Sequence, residues 1–125
     1  MDEFTTISTD MDARGVVYLT LRRPEKKNAL SALMIAELTE FARKIAKEPS
    51  ARVVVLRGDG DVFCAGGDLD WMKAQINADR AGRMAEARKL AQMLRGLNEM
   101  PLPLIGGVQG GAFGGGVGLA CVCDV

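Results

Sequence analysis

The order of apolar patterns in this 125-residue chain predicts an α/β fold with at least part of its sheet parallel. Three observations carry that expectation. A strand pattern is followed by a helix pattern three times in succession. The second strand, Val53-Val54-Val55-Leu56, is an unbroken apolar run of the kind seen when both faces of a strand are covered. A glycine-rich segment follows each of the two later strands.

Residues 14 to 22 are β-branched and partly alternating, which predicts a strand, with Phe4 to Thr9 as its hairpin partner. Arg23-Pro24-Glu25-Lys26-Lys27-Asn28 breaks the pattern and reads as a loop. Ser31 is suited to cap a helix running to about Lys47, with Met34, Leu38, Phe41 and Ile45 as its apolar stripe and Pro49 ending it. The next strand spans Arg52 to Arg57. A short helix is expected over Leu69 to Ile76, then a long one from about Ala78 to Met100 that buries Met84, Ala87, Ala91 and Leu94. Pro101 and Pro103 punctuate it. Leu104 to Val108 reads as another buried strand, Gly114 to Cys123 as an apolar helix, and Asp124-Val125 as the start of a further strand.

The length allows one domain at most, taken as residues 1 to 125. With 48% hydrophobic and 26% charged residues, the composition is that of a globular protein rather than a disordered one. Zero formal net charge argues against bulk affinity for nucleic acid or an anionic membrane. The longest apolar run, Leu102 to Val108, is too short to span a bilayer, and the acidic start Met1-Asp2-Glu3-Phe4 does not resemble a signal peptide. A cytoplasmic location is therefore expected, with an organellar one lacking its transit segment as the alternative. Cys64, Cys121 and Cys123 form an odd set without metal or disulfide spacing, so reduced thiols and no metal are expected. The chain has no histidine, which excludes a histidine-activated nucleophile built from it alone.

The glycine segments carry the chemistry. Phe63-Cys64-Ala65-Gly66-Gly67-Asp68-Leu69 and Gly110 to Gly118 each present bare backbone amides at the end of a strand. Two amides converging on one carbonyl oxygen make an oxyanion hole, and a helix starting near Gly114 would aim its positive end at that oxygen. Neither segment contains a phosphate-loop or dinucleotide-binding spacing. Tight turns and close helix–sheet packing are the structural alternative for the same glycines.

Arg23-Pro24 with Asn28-Ala29-Leu30, then Phe63 to Leu69, then Gly110 to Gly118 with Cys123-Asp124, together resemble the crotonase (enoyl-CoA hydratase/isomerase) superfamily. The resemblance covers the whole chain but only about the N-terminal half of a family member. It implies a crotonase-like spiral of ββα units, incomplete at the C-terminus, assembled as a homotrimer or a hexamer (a dimer of trimers). It also implies an acyl-CoA thioester as substrate, with coenzyme A entering as part of that substrate and no separate cofactor. The amides of Gly67 and Gly115 resemble the two oxyanion donors. Lys26, Lys27 and Ala29, with Ala65, Asp68 and Leu69, resemble the wall that holds the coenzyme, and Gly111 joins Gly67 and Gly115 in that binding set. Trp71-Met72 is similar to hydratases acting on branched or glutaconyl-type chains.

One position departs from the family pattern. The first catalytic glutamate of well-studied hydratases corresponds to Gly118 here, and the second would fall past Val125. Hydration of a 2-enoyl-CoA is the leading expectation, with isomerisation, decarboxylation or dehalogenation through the same thioester enolate as alternatives. Asp68 and Asp124 are the carboxylates nearest the motifs, read as a helix cap and a turn anchor. Two non-enzymatic expectations stand beside these: an RNA-binding relative using Arg43, Lys44 and Lys47, and a catalytically inert fragment.

Overall fold

A computed structural model describes residues 3–125, so the acidic start read at Met1 and Asp2 lies outside the described residues. Four strands form one sheet in the order β1 (Ile7–Met11), β2 (Val16–Leu21), β3 (Val53–Gly58) and β4 (Leu104–Gly107). The first two make an antiparallel hairpin with Ile7 opposite Leu21 and Met11 opposite Val17. Val54 then pairs with Val17 and Leu104 in parallel ladders on either side. The parallel expectation holds, because each later strand is reached through helices: α1 (Ala32–Ile45) before β3, α2 (Leu69–Asn77) and α3 (Arg80–Asn98) before β4. A short helix, α4 (Gly115–Cys121), closes the described chain.

The Ser31 hydroxyl accepts the Met34 amide at 3.2 Å, so α1 starts where the sequence placed its cap. Met34, Leu38, Phe41 and Ile45 are all fully buried in the core. Glu37 lies on the same helix and is also buried. Its carboxylate accepts the Thr5 and Thr6 amides at 2.8 and 2.7 Å and the Thr6 hydroxyl at 2.5 Å, pinning the entry to β1 onto α1.

Four expectations need correction. The apolar run of β3 is covered on one face only: Val54 and Leu56 are fully buried, whereas Val53 and Val55 are half-buried. On that second face the Arg57 guanidinium lies 4.6 Å over the Tyr18 ring and donates to Thr20 at 3.1 Å. Most of the expected α3 stripe faces outward. Met84, Ala87 and Ala91 are exposed, whereas Leu94 is half-buried against the core beside Leu90, and the fully buried residues are Met93 and Leu97. The helix carries two apolar rows, and the sequence alone does not say which one meets α1. In β4 only Leu104 is buried, with Ile105 exposed and two glycines after it. The Gly114–Cys123 helix shortens to α4, in which only Gly116 and Leu119 are buried.

The Asp124 amide donates to the Leu104 carbonyl and the Gly106 amide to the Val125 carbonyl, so the last residues do begin to pair along β4. Among the described residues, no helix is long and apolar enough to cross a membrane.

Candidate active site

Three loops come together at one end of the sheet, held by a second, smaller ladder. Asn28 is the first organiser. It sits at φ 55°, in the left-handed region that asparagine tolerates better than most residues, and is fully buried. Its amide oxygen accepts the Arg23 N–H at 2.8 Å, and its amide nitrogen donates to the carbonyls of Asp59 and Val62 at 2.8 and 3.0 Å. The first bond closes the loop after β2 on itself, and the other two tie it to the loop after β3.

From there the chains run side by side. Ala65 donates to the Lys27 carbonyl, Leu30 to Gly66 and Asp68 to Leu30, which makes Leu30 and Gly67 a parallel bridge. On the other side Phe63 donates to Gln109, Cys64 to Gly111 and Phe113 to Cys64, so Cys64 and Ala112 form a second parallel bridge. The Phe63–Asp68 segment is therefore the middle strand of three.

Two glycines show how tight this assembly is. Gly66 adopts φ 101°, and a Cβ there would stand 3.0 Å from the Phe113 carbonyl oxygen. At Gly115 the backbone is unremarkable in φ, but a Cβ would stand 2.6 Å from Leu30 Cδ1. Gly67 and Gly115 thus both neighbour Leu30, the first along its backbone and the second against its side chain. Both are half-buried, and neither amide finds an acceptor among the described residues. Gly115 opens α4, where the first N–H groups of a helix have no intrahelical acceptor, and both amides occur where carbonyl binding was expected.

Of the residues expected to hold the coenzyme, Lys26, Lys27, Ala29, Ala65, Gly67, Asp68 and Leu69 line one recess of about 470 Å³. Gly111 and Gly115 do not line it. Gly111 is engaged through its carbonyl with Cys64. The recess also contains Glu25, Asp70, Met72 and Lys73, of which Lys73 is the residue that sequence reasoning missed. Its signal was available, since Leu69, Met72 and Lys73 share one face of α2 by i, i+3, i+4 spacing.

Asp68 anchors the wall. Its carboxylate accepts the Asp70 and Trp71 amides at 3.0 and 3.1 Å, capping α2, and pairs with Arg23 at 3.0 Å. Burial pushes this carboxyl upward. The Arg23 hydrogen bond, the Trp71 amide, the Arg23 charge and the Asp70 amide together outweigh burial and hold its pKa below the ordinary aspartate value. Arg23 donates its other arm to the Ala29 carbonyl at 2.5 Å. A carboxylate so fully engaged is a structural cap, as expected. Asp124 likewise accepts the Leu104 amide at 2.8 Å and serves as an anchor.

Position 118 has no side chain to move a proton, and a Cβ there would stand 3.3 Å from the Leu94 side chain. Cys64 is buried, and burial pushes its thiol pKa up, away from nucleophilic use. Among the described residues, no group of His, Cys, Asp and Glu side chains is arranged to hold a metal ion. On α1, Arg43 and Lys44 both pair with Glu40, at 2.5 and 3.5 Å, which spends much of the basic character on which RNA binding would depend.

The chain is similar to known proteins in sequence and in fold. The sequence model of the enoyl-CoA hydratase/isomerase family matches residues 12–125. The probable enoyl-CoA hydratase echA6 of Mycobacterium leprae is 39% identical over 116 residues, which are 90% of this chain and 44% of that protein. The mitochondrial Delta(3,5)-Delta(2,4)-dienoyl-CoA isomerase of Mus musculus is 32% identical over 130 residues, 98% of this chain and 40% of the isomerase. Among solved structures, an enoyl-CoA hydratase from Shewanella pealeana superposes with a TM-score of 0.94 at 33% identity, over 98% of this chain and 46% of that one. One from Mycobacterium smegmatis gives 0.91 at 37% identity, over 97% and 46%. The chain spans less than half the length of these relatives. With the family's sequence pattern matched over residues 12–125 and its fold reproduced, the chain belongs to the enoyl-CoA hydratase/isomerase family.

Proposed function

We propose that this chain binds an acyl-CoA thioester and activates its carbonyl for crotonase-type chemistry, with hydration of a 2-enoyl-CoA as the leading reaction. The observation that carries this reading is the pair of unpartnered amides at Gly67 and Gly115, both beside Leu30. Both would donate to the thioester oxygen. As a nucleophile adds to the 3-carbon, negative charge moves onto that oxygen, and fixed donors stabilise it more than they stabilise the ground state. The coenzyme would lie in the recess lined by Lys26, Lys27 and Lys73, whose ammonium groups suit phosphate oxygens as point charges. No further cofactor enters the scheme.

Isomerisation of an enoyl-CoA is the second reading, and Gly118 favours it. The Gly118 site offers Leu94 rather than a carboxylate, and Asp68 and Asp124 are both committed to backbone amides. A double-bond shift can run with one acid/base group, whereas concerted addition of water is served best by two. The same reading extends to assembly as a homotrimer or dimer of trimers, for which exposed Leu69, Ile76, Phe113 and Val117 supply apolar surface. Sedimentation equilibrium tests that assembly. A cytoplasmic location, argued from the three free cysteines, belongs to the proposal as well.

The test is turnover of crotonyl-CoA and of a 3-enoyl-CoA by the purified protein and by Gly67→Pro, which removes one amide donor. The variant should stay folded by circular dichroism and lose about 10²–10³ in kcat. Undiminished turnover by a folded Gly67→Pro protein sinks the oxyanion assignment.

A further inference from the structure

Met72 brings an oxidisable sulfur against one of the two proposed carbonyl donors. A Cβ built on Gly67 would stand 3.2 Å from Met72 Cγ and 3.3 Å from its Sδ. One carbon–carbon bond further on, the thioether lies within about 5 Å of the glycine Cα. The residue is 40% exposed and lines the recess of about 470 Å³ that also holds Gly67, Lys26 and Lys73. A smaller recess of about 390 Å³ beside α1 and α2 takes Trp71 but not Met72 into its lining, so a change at Met72 acts on the larger one alone.

The other methionines supply the contrast. Met34 and Met93 are fully buried, and Met11 and Met100 are partly buried against the core. Met84 is 49% exposed, but it sits on the outward row of α3 and lines neither recess. Among the described residues, Met72 and Met84 are therefore the methionines open to a dissolved oxidant, and Met72 alone of that pair adjoins the proposed site.

We propose that Met72 is a site of reversible oxidation whose sulfoxide occupies the Gly67 amide and closes the carbonyl site. The assignment rests on the acyl-CoA reading of Gly67. In the step, a sulfur lone pair attacks one oxygen of a hydroperoxide. The sulfur–oxygen bond forms as the oxygen–oxygen bond breaks, the sulfur loses two electrons, and the peroxide leaves as water or an alcohol. A thioether accepts hydrogen bonds weakly, whereas a sulfoxide oxygen carries much of the S–O dipole and accepts them well. The three rotatable bonds of the side chain let that oxygen turn toward the Gly67 N–H, which has no backbone acceptor in the chain. An acceptor tethered beside the donor competes with the thioester oxygen at high effective concentration. A sulfoxide reductase with a dithiol reverses the step: the oxygen leaves as water and the dithiol becomes a disulfide.

The experiment treats the full chain with dilute hydrogen peroxide and locates the oxidised residues by peptide mass spectrometry. Met72 and Met84 should each gain one oxygen atom, while buried Met34 and Met93 gain none. As Met72 sulfoxide accumulates, kcat/KM for crotonyl-CoA should fall about tenfold or more with the circular dichroism unchanged, and reductase with a dithiol should restore it. Met84→Leu should lose as much as the parent. Met72→Leu, compared with itself before and after peroxide, should change by less than about twofold. Amide NMR gives a readout independent of turnover: the Gly67 N–H should move downfield in the sulfoxide form, as expected of a donor that gains an acceptor, and stay in place in treated Met72→Leu. A loss that persists in Met72→Leu puts the oxidation elsewhere, at exposed Cys121 or Met84, and overturns the assignment. So does a Met72 sulfoxide that unfolds the chain, or one that leaves kcat/KM and the Gly67 resonance unmoved. These outcomes leave the acyl-CoA reading intact. If the untreated, folded chain neither binds nor turns over crotonyl-CoA, that reading falls and this assignment falls with it.

Discussion

At the scale of single residues, Arg23 and Asp68 decide whether the site wall stands. The pair is mostly buried, and Asp68 also caps α2, so its loss removes a cap and leaves a guanidinium without its partner. Asp68→Asn should cost about 1–3 kcal/mol near neutral pH. The pH dependence follows from the depressed carboxyl pKa. Protons bind the unfolded aspartate more readily than the folded one, so the contribution is complete above the unfolded value of about 4 and is lost as pH falls through the lower folded value. Urea midpoints of the parent and Asp68→Asn proteins should therefore differ at pH 7 and converge in acid. A gap that stays constant down to pH 2 contradicts the assignment. Gly115 offers a second residue-scale test, since a Cβ there meets Leu30 Cδ1 at 2.6 Å. Gly115→Ala should displace the α4 entrance and lower kcat by about tenfold or more, with the Leu30→Ala background recovering part of the loss.

At the scale of elements, α3 separates what a sequence can say from what it cannot. Its existence and its approximate length are readable from periodicity, and the structure supplies the Asp79 cap. Its buried face is not, because Met84-Ala87-Ala91-Leu94 and Leu90-Met93-Leu97 are both apolar rows and only the partner helix chooses between them. The same limit explains β3 and β4. An apolar run states that a strand could be covered twice, while coverage itself depends on other elements. The α1 stripe was legible because Thr39, Glu40, Arg43 and Lys44 mark the opposite face over most of its length. For the site, the glycine segments were legible from composition, the Lys26–Leu69 wall only through the family resemblance, and Lys73 from the i, i+3, i+4 spacing of α2, whereas which α2 side-chain atoms lack partners required the packed structure. These faces make unequal predictions. Leu97→Ala should destabilise by about 2–5 kcal/mol, and Met84→Ala should stay within about 0.5 kcal/mol of the parent. Comparable losses from both in denaturant titrations would mean that α3 is packed the other way round.

At the scale of the molecule, zero net charge sets how ligand attraction works. With no long-range field of either sign, a polyanionic ligand must be drawn by local cations, and beyond about one Debye length their effect is screened. Lys26, Lys27 and Lys73 on the rim of the larger recess are the local source, opposed by Glu25 and Asp70, while Asp68 is neutralised by Arg23. Reversing two of the three, as in Lys26→Glu with Lys73→Glu, turns the unpaired balance at the rim negative. Affinity for a coenzyme A thioester should then fall about tenfold or more at low ionic strength, and the difference from the parent should shrink as salt is raised. The same reversal placed on α1, at Arg43 and Lys44, should change thioester affinity by less than about twofold, because those cations already pair with Glu40 and belong to neither recess beside α2. Titration with single-stranded RNA supplies the contrasting case. A chain without a basic field should show no steep dependence of RNA affinity on salt, and a steep slope abolished by the α1 reversal would move the functional centre from the glycine ladder to that helix.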